Sequence, residues 1–477
     1  MKTVSHFIIL LFLSLVSAAQ PKSNFKTWAV TPPMGWNSYD AYYGTVTETQ
    51  FIKEVDVIAK RLLPFGYEYA VLDYCWFNPG PKGWDPNKWV TFDVDHFRTN
   101  ASHNLYEGLA IDQYGRAIPA LNRFPSSDGG KGFSEIAAYV HSKGMKFGIH
   151  VQRGIPKEAV MKNTRVMGTK YFAKDIVSYT DTCLWNESMY GVDAGKPGAQ
   201  EYYNSLMNLY ALWGVDFIKV DDIASPIYRK GEVDMIRKAI DQCGRKIVLS
   251  LSPGDAVIGY ANEMDNKTNM YRISNDVWDR WKDIVHVFDL LNMWSPFIGK
   301  GSWPDADMIP FGRLCLTGYP DAKTNGGKRE HNSFLNYDEQ KTMMSLWCMA
   351  RSPLMWGGAP SLSSDSAFTV LTNKEILAIN QNSINNHQLY QPNGRSDNKD
   401  FRIWVAESPD RKTKYLAFFN LKETPADINF KMGWEFWAGS YTVKDIWSNE
   451  DKGIFTNEVT AAQIAPHGVM VYKLTRQ

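Results

Sequence analysis

The sequence predicts an α/β fold, a (β/α)8 barrel, followed by a C-terminal antiparallel β-sandwich, and three observations predict it. Between about residues 26 and 384, short apolar runs alternate with longer amphipathic stretches. The runs are apolar on both faces, as strands are in a parallel sheet covered by helices on each side. From 385 to 477 the texture changes to closely spaced strand-like segments separated by turn residues, the pattern of a small sandwich.

The chain opens on a targeting segment. Lys2 supplies a positive start, residues 7–16 form an apolar run, and Ser17-Ala18-Ala19 offers small residues for cleavage, so residues 1–19 read as a signal peptide. That run is about half the roughly 20 residues that a spanning helix needs, so no membrane span is expected. The mature protein is expected to be periplasmic or extracellular.

The barrel strands are expected at 34–38, 69–74, 146–151, 217–220, 247–251, 270–273, 306–309 and 352–355, with helical patterns such as 48–63 and 199–213 between them. Eight such units in about 350 residues are what a TIM barrel with long loops requires. No G-x-G-x-x-G follows the first run, as it would in a dinucleotide-binding open sheet. The sandwich strands are expected at 401–406, 414–419, 426–430 and 469–474, with turns at Pro392-Asn393-Gly394 and Ser408-Pro409-Asp410. No Gly/Ser linker separates the two parts, so the sandwich should pack on the barrel.

Composition excludes several classes. Lys and Arg number 52 against 51 Asp and Glu, and no basic run tracks a phosphate backbone, so nucleic acid is not an expected partner. The five cysteines (Cys75, Cys183, Cys243, Cys315, Cys348) form no CxxC pair and no Cys/His cluster at zinc spacing, so no metal or cofactor is expected. An exported chain could close one disulfide, and spacing does not select which. Sequons stand at Asn100, Asn186 and Asn266. The sequence carries no signal of oligomeric state.

In a parallel barrel the chemistry sits at the C-terminal ends of the strands. Five apolar runs end in acids: Asp40 after Gly35-Trp36-Asn37-Ser38-Tyr39, Asp73, Asp221-Asp222, Asp276 and Asp305-Ala306-Asp307. Lys219 and Arg272 accompany them, and His150 ends the third run. Carboxylates with cations, and without a metal pattern, suit glycoside hydrolysis. That reaction takes one ionised and one protonated carboxyl, about 5–5.5 Å apart where configuration is retained. A neighbouring cation keeps the nucleophile ionised, and burial raises the pKa of the acid. Lys219 and Asp221 also fit a structural ion pair, and Asp276 also fits a helix cap near Val277. Lys219 as an amine nucleophile of a lyase or aldolase is disfavoured, since two adjacent acids should keep it protonated.

Taken in order, these segments resemble family 27 of the glycoside hydrolases, the α-galactosidase and α-N-acetylgalactosaminidase family of clan D, from about residue 31 to 477. The carrying motifs are Thr31-Pro32-Pro33-Met34-Gly35-Trp36-Asn37-Ser38, Leu72-Asp73-Tyr74-Cys75-Trp76, Lys219-Val220-Asp221, Arg272-x-x-x-Asp276 and Trp303-Pro304-Asp305-Ala306-Asp307-Met308. The resemblance implies Asp221 as nucleophile and Asp276 as acid/base. It implies Trp36, Asp73, Tyr74, His150, Lys219, Ser252 and Arg272 as substrate-binding residues, supported by Asp222, Asp305 and Asp307. The implied substrate is a carbohydrate with a terminal α-galactosyl-type residue.

The departures are specific. Typical α-galactosidases of the family hold the axial 4-hydroxyl and the 6-hydroxyl with two consecutive acids; here Asp73 is kept and Tyr74 replaces the second. His150 stands for a third-strand Tyr, Ser252-Pro253 occupies the specificity loop, and the family's disulfide partner for Cys75 is missing. A divergent bacterial-type member could instead take β-L-arabinopyranosides, α-N-acetylgalactosaminides or isomalto-type glucans. The reading from another class is a catalytically silent carbohydrate-binding protein, against which both Asp221 and Asp276 are kept.

Overall fold

Eight parallel strands form one sheet in this computed structural model, which describes residues 24–81, 109–183, 185, 188–317, 329–389, 400–435 and 437–477. The first three strands are β1 (Met34–Asn37), β2 (Tyr69–Leu72) and β3 (Lys146–Gln152). A small antiparallel excursion follows, built from β4 (Ile155–Pro156), β5 (Val177–Thr182) and β6 (Met189–Val192). The barrel resumes with β7 (Phe217–Asp221), β8 (Val248–Leu251), β9 (Met270–Arg272) and β10 (Trp303–Asp305). After a hairpin of β11 (Arg313–Leu314) and β12 (His331–Asn332), β13 (Leu354–Trp356) completes it. The order around the sheet is β10-β9-β8-β7-β3-β2-β1-β13, and a parallel bridge from Ile309 to Trp356 joins its two ends.

The helices form for local reasons. In Glu48–Arg61, Thr47 and Gln50 make a reciprocal capping box, and Phe51, Val55 and Ile58 recur at helical spacing and are buried. Tyr337–Met349 is capped by Asn336, whose side chain accepts from the Asp338 and Glu339 N–H groups.

Inside the barrel, side chains alternate strand by strand into layers. The floor is apolar: Tyr69, Val71, Phe217, Val248, Met270, Trp303 and Met355 form one buried cluster. Gly148 makes room for it, because a Cβ there would meet Val71 Cγ2 at 2.9 Å and Phe217 Cβ at 3.1 Å.

Two strands are displaced from their expected positions. The seventh lies at Trp303–Asp305 and not at 306–309, where Asp307 turns the chain at φ 87°. Pro304 weakens the strand pattern, yet it is tolerated because β10 has a ladder on one side only, to β9. The eighth is shifted to Leu354–Trp356.

The C-terminal part holds a six-stranded antiparallel sheet, β14 (Ile384–Gln388), β15 (Phe401–Glu407), β16 (Thr413–Asn420), β21 (Val469–Arg476), β18 (Ser440–Asp445) and β19 (Asp451–Thr456). A two-stranded sheet of β17 (Ala426–Lys431) and β20 (Glu458–Ile464) packs on it around Phe418, Phe430, Val443 and Leu474. The other face of the larger sheet joins the barrel's own core through Trp404, Phe419 and Val471. Phe288 and Phe419 meet edge to face at 5.0 Å, and the Trp447 indole N–H donates to Ser345 Oγ.

Among the described residues, which include all five cysteines, no disulfide forms. No described helix is long and apolar enough to cross a membrane. The expected signal peptide at 1–19, Asn100, Asn186 and the turn at Pro392-Asn393-Gly394 lie outside the described residues.

Candidate active site

Above the apolar floor the barrel turns polar. A cavity there is lined by Asn37, Lys219, Ser250, Arg272, Asp305 and Asp307, with Phe217, Met270, Met308 and Met355 beneath them. The carboxylate that ends β7 and those just past β2 and β9 surround Tyr39: its hydroxyl is pushed up by burial and by the charges of Asp276, Asp73, Asp221 and Asp40.

Asp221 ends β7 and is held at both oxygens. Its Oδ2 lies 3.0 Å from His150 Nε2, and its Oδ1 accepts the Asp222 N–H at 2.8 Å. Burial favours the protonated acid, but the hydrogen bond and charge of His150, the Lys219 ammonium and the Asp222 N–H outweigh it and lower the pKa. This carboxylate is therefore kept ionised.

Asp73 forms the second fixed anion. Its Oδ2 accepts from Asn37 Nδ2 at 2.6 Å and from Lys219 Nζ at 3.1 Å, and its Oδ1 accepts the Tyr74 N–H at 2.8 Å. Burial opposes ionisation, yet Lys219, His150 and these hydrogen bonds hold the carboxyl at about 2. Lys219, between Asp73 and Asp221, has its pKa raised by both against the effect of burial. It is an ammonium donor to oxygen atoms and not an amine nucleophile.

Arg272 joins the third set. Nη1 lies 2.8 Å from Asp307 Oδ1, and Nη2 lies 3.2 Å from Asp276 Oδ1. Asp307 and Asp305 are buried, which raises both carboxyl pKa values, while Arg272 opposes the rise. Asp307 Oδ2 accepts the Val277 N–H at 2.7 Å and so fixes the segment that carries Asp276. Asp276 itself is not buried: its side chain is 54% exposed, at the mouth. Its partner there is the Arg272 guanidinium.

Trp36 is a correction. It is fully buried, packs on Phe51 at 5.6 Å and donates its indole N–H to the Gly358 carbonyl, so it faces the helix layer and not the pocket. Strand parity is the reason: Gly35 and Asn37 point into the barrel, so Trp36 between them points out. Tyr39 is the aromatic residue set among the carboxylates of Asp73, Asp221 and Asp276, and Asn37 lines the cavity; the motifs name neither as a site residue. Both could have been found by counting parity from the interior Asp73 contact.

Ser252 is buried, with its N–H given to the Val220 carbonyl and its carbonyl accepting the Ile223 N–H; the serine lining the cavity is Ser250. Tyr74 presents its ring beside His150 at 5.6 Å and Tyr39 at 6.5 Å, and the half-exposed Trp185 lies 5.7 Å beyond it. Asp222 turns back from the pocket to Arg153, 2.9 Å from Nη2.

Residues 183–325 match the family described as alpha galactosidase A, and residues 398–474 the one described as alpha galactosidase C-terminal beta sandwich domain. A GH27 β-L-arabinopyranosidase from Geobacillus stearothermophilus, solved in complex with arabinose, is 39% identical with a TM-score of 0.85, over 95% of this chain and 99% of that one. Alpha-galactosidase 3 of Arabidopsis thaliana is 26% identical over 94% of this chain and 83% of its own length. Alpha-galactosidase A of Cellvibrio japonicus is 25% identical over 97% and 96%.

Proposed function

The chain belongs to glycoside hydrolase family 27 and is a glycosidase with a carbohydrate substrate, and from that premise we propose that it retains anomeric configuration through a glycosyl-enzyme on Asp221. The observation that carries this reading is the asymmetry of two carboxyls. Asp221, its side chain 14% exposed, is held at both oxygens and kept ionised, while Asp276, 54% exposed, stands at the mouth beside Arg272.

In the first step Asp221 attacks the anomeric carbon as Asp276 gives its proton to the leaving oxygen. In the second, Asp276 takes a proton from water, which attacks the same carbon and frees Asp221. Asp73 and Lys219, fixed against each other, offer an acceptor and a donor to adjacent sugar hydroxyls. Arg272 offers a further donor beside the acid.

The sugar we propose is a terminal β-L-arabinopyranoside, which shares galactose's ring stereochemistry and lacks its hydroxymethyl arm. Tyr74 supports it. Where α-galactosidases of the family carry an acid for the 6-hydroxyl, this chain presents a ring against His150 and Tyr39. The 39% identity to a β-L-arabinopyranosidase supports it too. A terminal α-galactoside is the second reading, favoured by the full-length similarity to α-galactosidases.

Aryl glycosides decide between them. The expected result is a higher kcat/KM for aryl β-L-arabinopyranoside than for the α-galactoside, with first-formed arabinose in the substrate's configuration by NMR. A preference for the galactoside would overturn the sugar, and first-formed inverted product would overturn the mechanism. We also propose export, on the composition of residues 1–19. The N-terminal sequence of the protein recovered from its native host should begin after Ala19, and an intact Met1 would refute it.

A further inference from the structure

Behind the nucleophile lies a buried ionic network that the reaction does not use directly. Arg153, immediately past β3, is 2% exposed and meets three carboxylates. Nη2 lies 2.9 Å from Asp222 and 2.8 Å from Asp181, and Nη1 lies 2.7 Å from Glu232. Glu232 is held in turn by the Tyr203 hydroxyl, which accepts the Gly154 N–H at 3.0 Å. Every arm of the guanidinium is thus fixed by a group from another element.

The same residue also grips the backbone around the nucleophile. Its N–H donates to the Asp221 carbonyl at 3.2 Å, and its Nε donates to the Asp222 carbonyl at 2.6 Å. Between those two carbonyls lies the Asp222 N–H that donates to Asp221 Oδ1. Asp222 sits at φ 58°, a left-handed conformation that a residue with a Cβ seldom adopts and that surroundings must impose. Arg153 imposes it from three sides: on the carbonyl before, on the carbonyl after and on the Asp222 carboxylate.

We propose that Arg153 is a positioning residue for the nucleophile: by holding the Asp221–Asp222 turn it aims the Asp221 carboxylate at the anomeric carbon. This rests on the reading of Asp221 given above. Arg153 meets the Asp221–Asp222 turn at both backbone carbonyls and at the Asp222 carboxylate, so it acts through the turn. Its grip on Asp181 also ties in β5.

Single-turnover kinetics with a 2,4-dinitrophenyl glycoside isolate the glycosylation step, since this leaving group hardly needs a proton. Arg153→Met should lower the glycosylation rate by about a hundredfold, the scale of a small misplacement of a reacting group, with KM little changed. Arg153→Lys keeps the charge but cannot reproduce the planar fork, so it should recover only part of the rate. It also keeps the test open if Arg153→Met does not fold. A purely structural Arg153 would lower the unfolding temperature of both variants and leave the rate of the folded enzyme intact. Asp221→Ala separates the two claims. Undiminished glycosylation in Asp221→Ala contradicts the nucleophile itself. Loss there, with wild-type rates in a folded Arg153 variant, contradicts the positioning role alone.

Discussion

At Asp73, burial disfavours the carboxylate, yet Lys219, His150 and the hydrogen bonds of Tyr74 and Asn37 hold it at about 2. An unfolded Asp titrates near 3.9. A carboxyl whose pKa is depressed on folding adds stability that is full above the unfolded value and is lost as pH falls through the folded one. Asp73 should therefore add on the order of 2 kcal/mol above about pH 4, lost as pH falls toward 2. Urea titrations at stepped pH check this: Asp73→Asn should flatten the pH dependence of stability in that window, and an unchanged slope would refute it. On the proposed reading, Tyr74 governs choice of sugar. Tyr74→Asp restores an acceptor where a hydroxymethyl arm would reach, and a hydrogen bond to a charged group contributes about 1.5–3 kcal/mol. The ratio of galactoside to arabinopyranoside kcat/KM should rise roughly tenfold or more. No change in that ratio would remove Tyr74 from the specificity argument.

Strands were legible where the apolar runs were unbroken, as at Lys146–Gln152 and Phe217–Asp221, because strands covered on both faces carry no polar interruptions. The seventh was misplaced because Pro304 disguises it, and Trp36 was misassigned because a motif names a residue without giving its face. The excursion of β4, β5 and β6 escaped notice since its strands are short and partly polar. His150, Lys219, Asp221 and Arg272 could be foreseen as strand-end residues, whereas the Arg153 network could not, because its partners are scattered from Asp181 to Glu232. Packing between strands gives its own test. Gly148→Val would force branched carbons against Val71 and Phe217. Overpacking of that kind costs about 1–3 kcal/mol, which a denaturant midpoint would register. Activity should fall with it, since β3 and β7 carry His150 and Asp221.

Across the whole molecule, the sandwich is not an appended module. Trp404, Phe419 and Val471 belong to the same buried cluster as the barrel's helices, and His467 stacks on Trp281 at 4.2 Å. A chain ending at residue 383 would expose that face, so it should aggregate on expression; a soluble, active truncation would show that the barrel closes its own core. The barrel in turn brings one ionised and one solvent-facing carboxyl to a single mouth, and their division of labour is open to one decisive measurement. Azide should intercept the reaction differently in two variants. In Asp221→Ala, azide takes the nucleophile's place and should give a glycosyl azide of inverted configuration. In Asp276→Ala, azide attacks the accumulated glycosyl-enzyme and should give retained configuration. The opposite pair of configurations, read by NMR, would exchange the roles of Asp221 and Asp276. Inverted product from both would contradict the glycosyl-enzyme altogether.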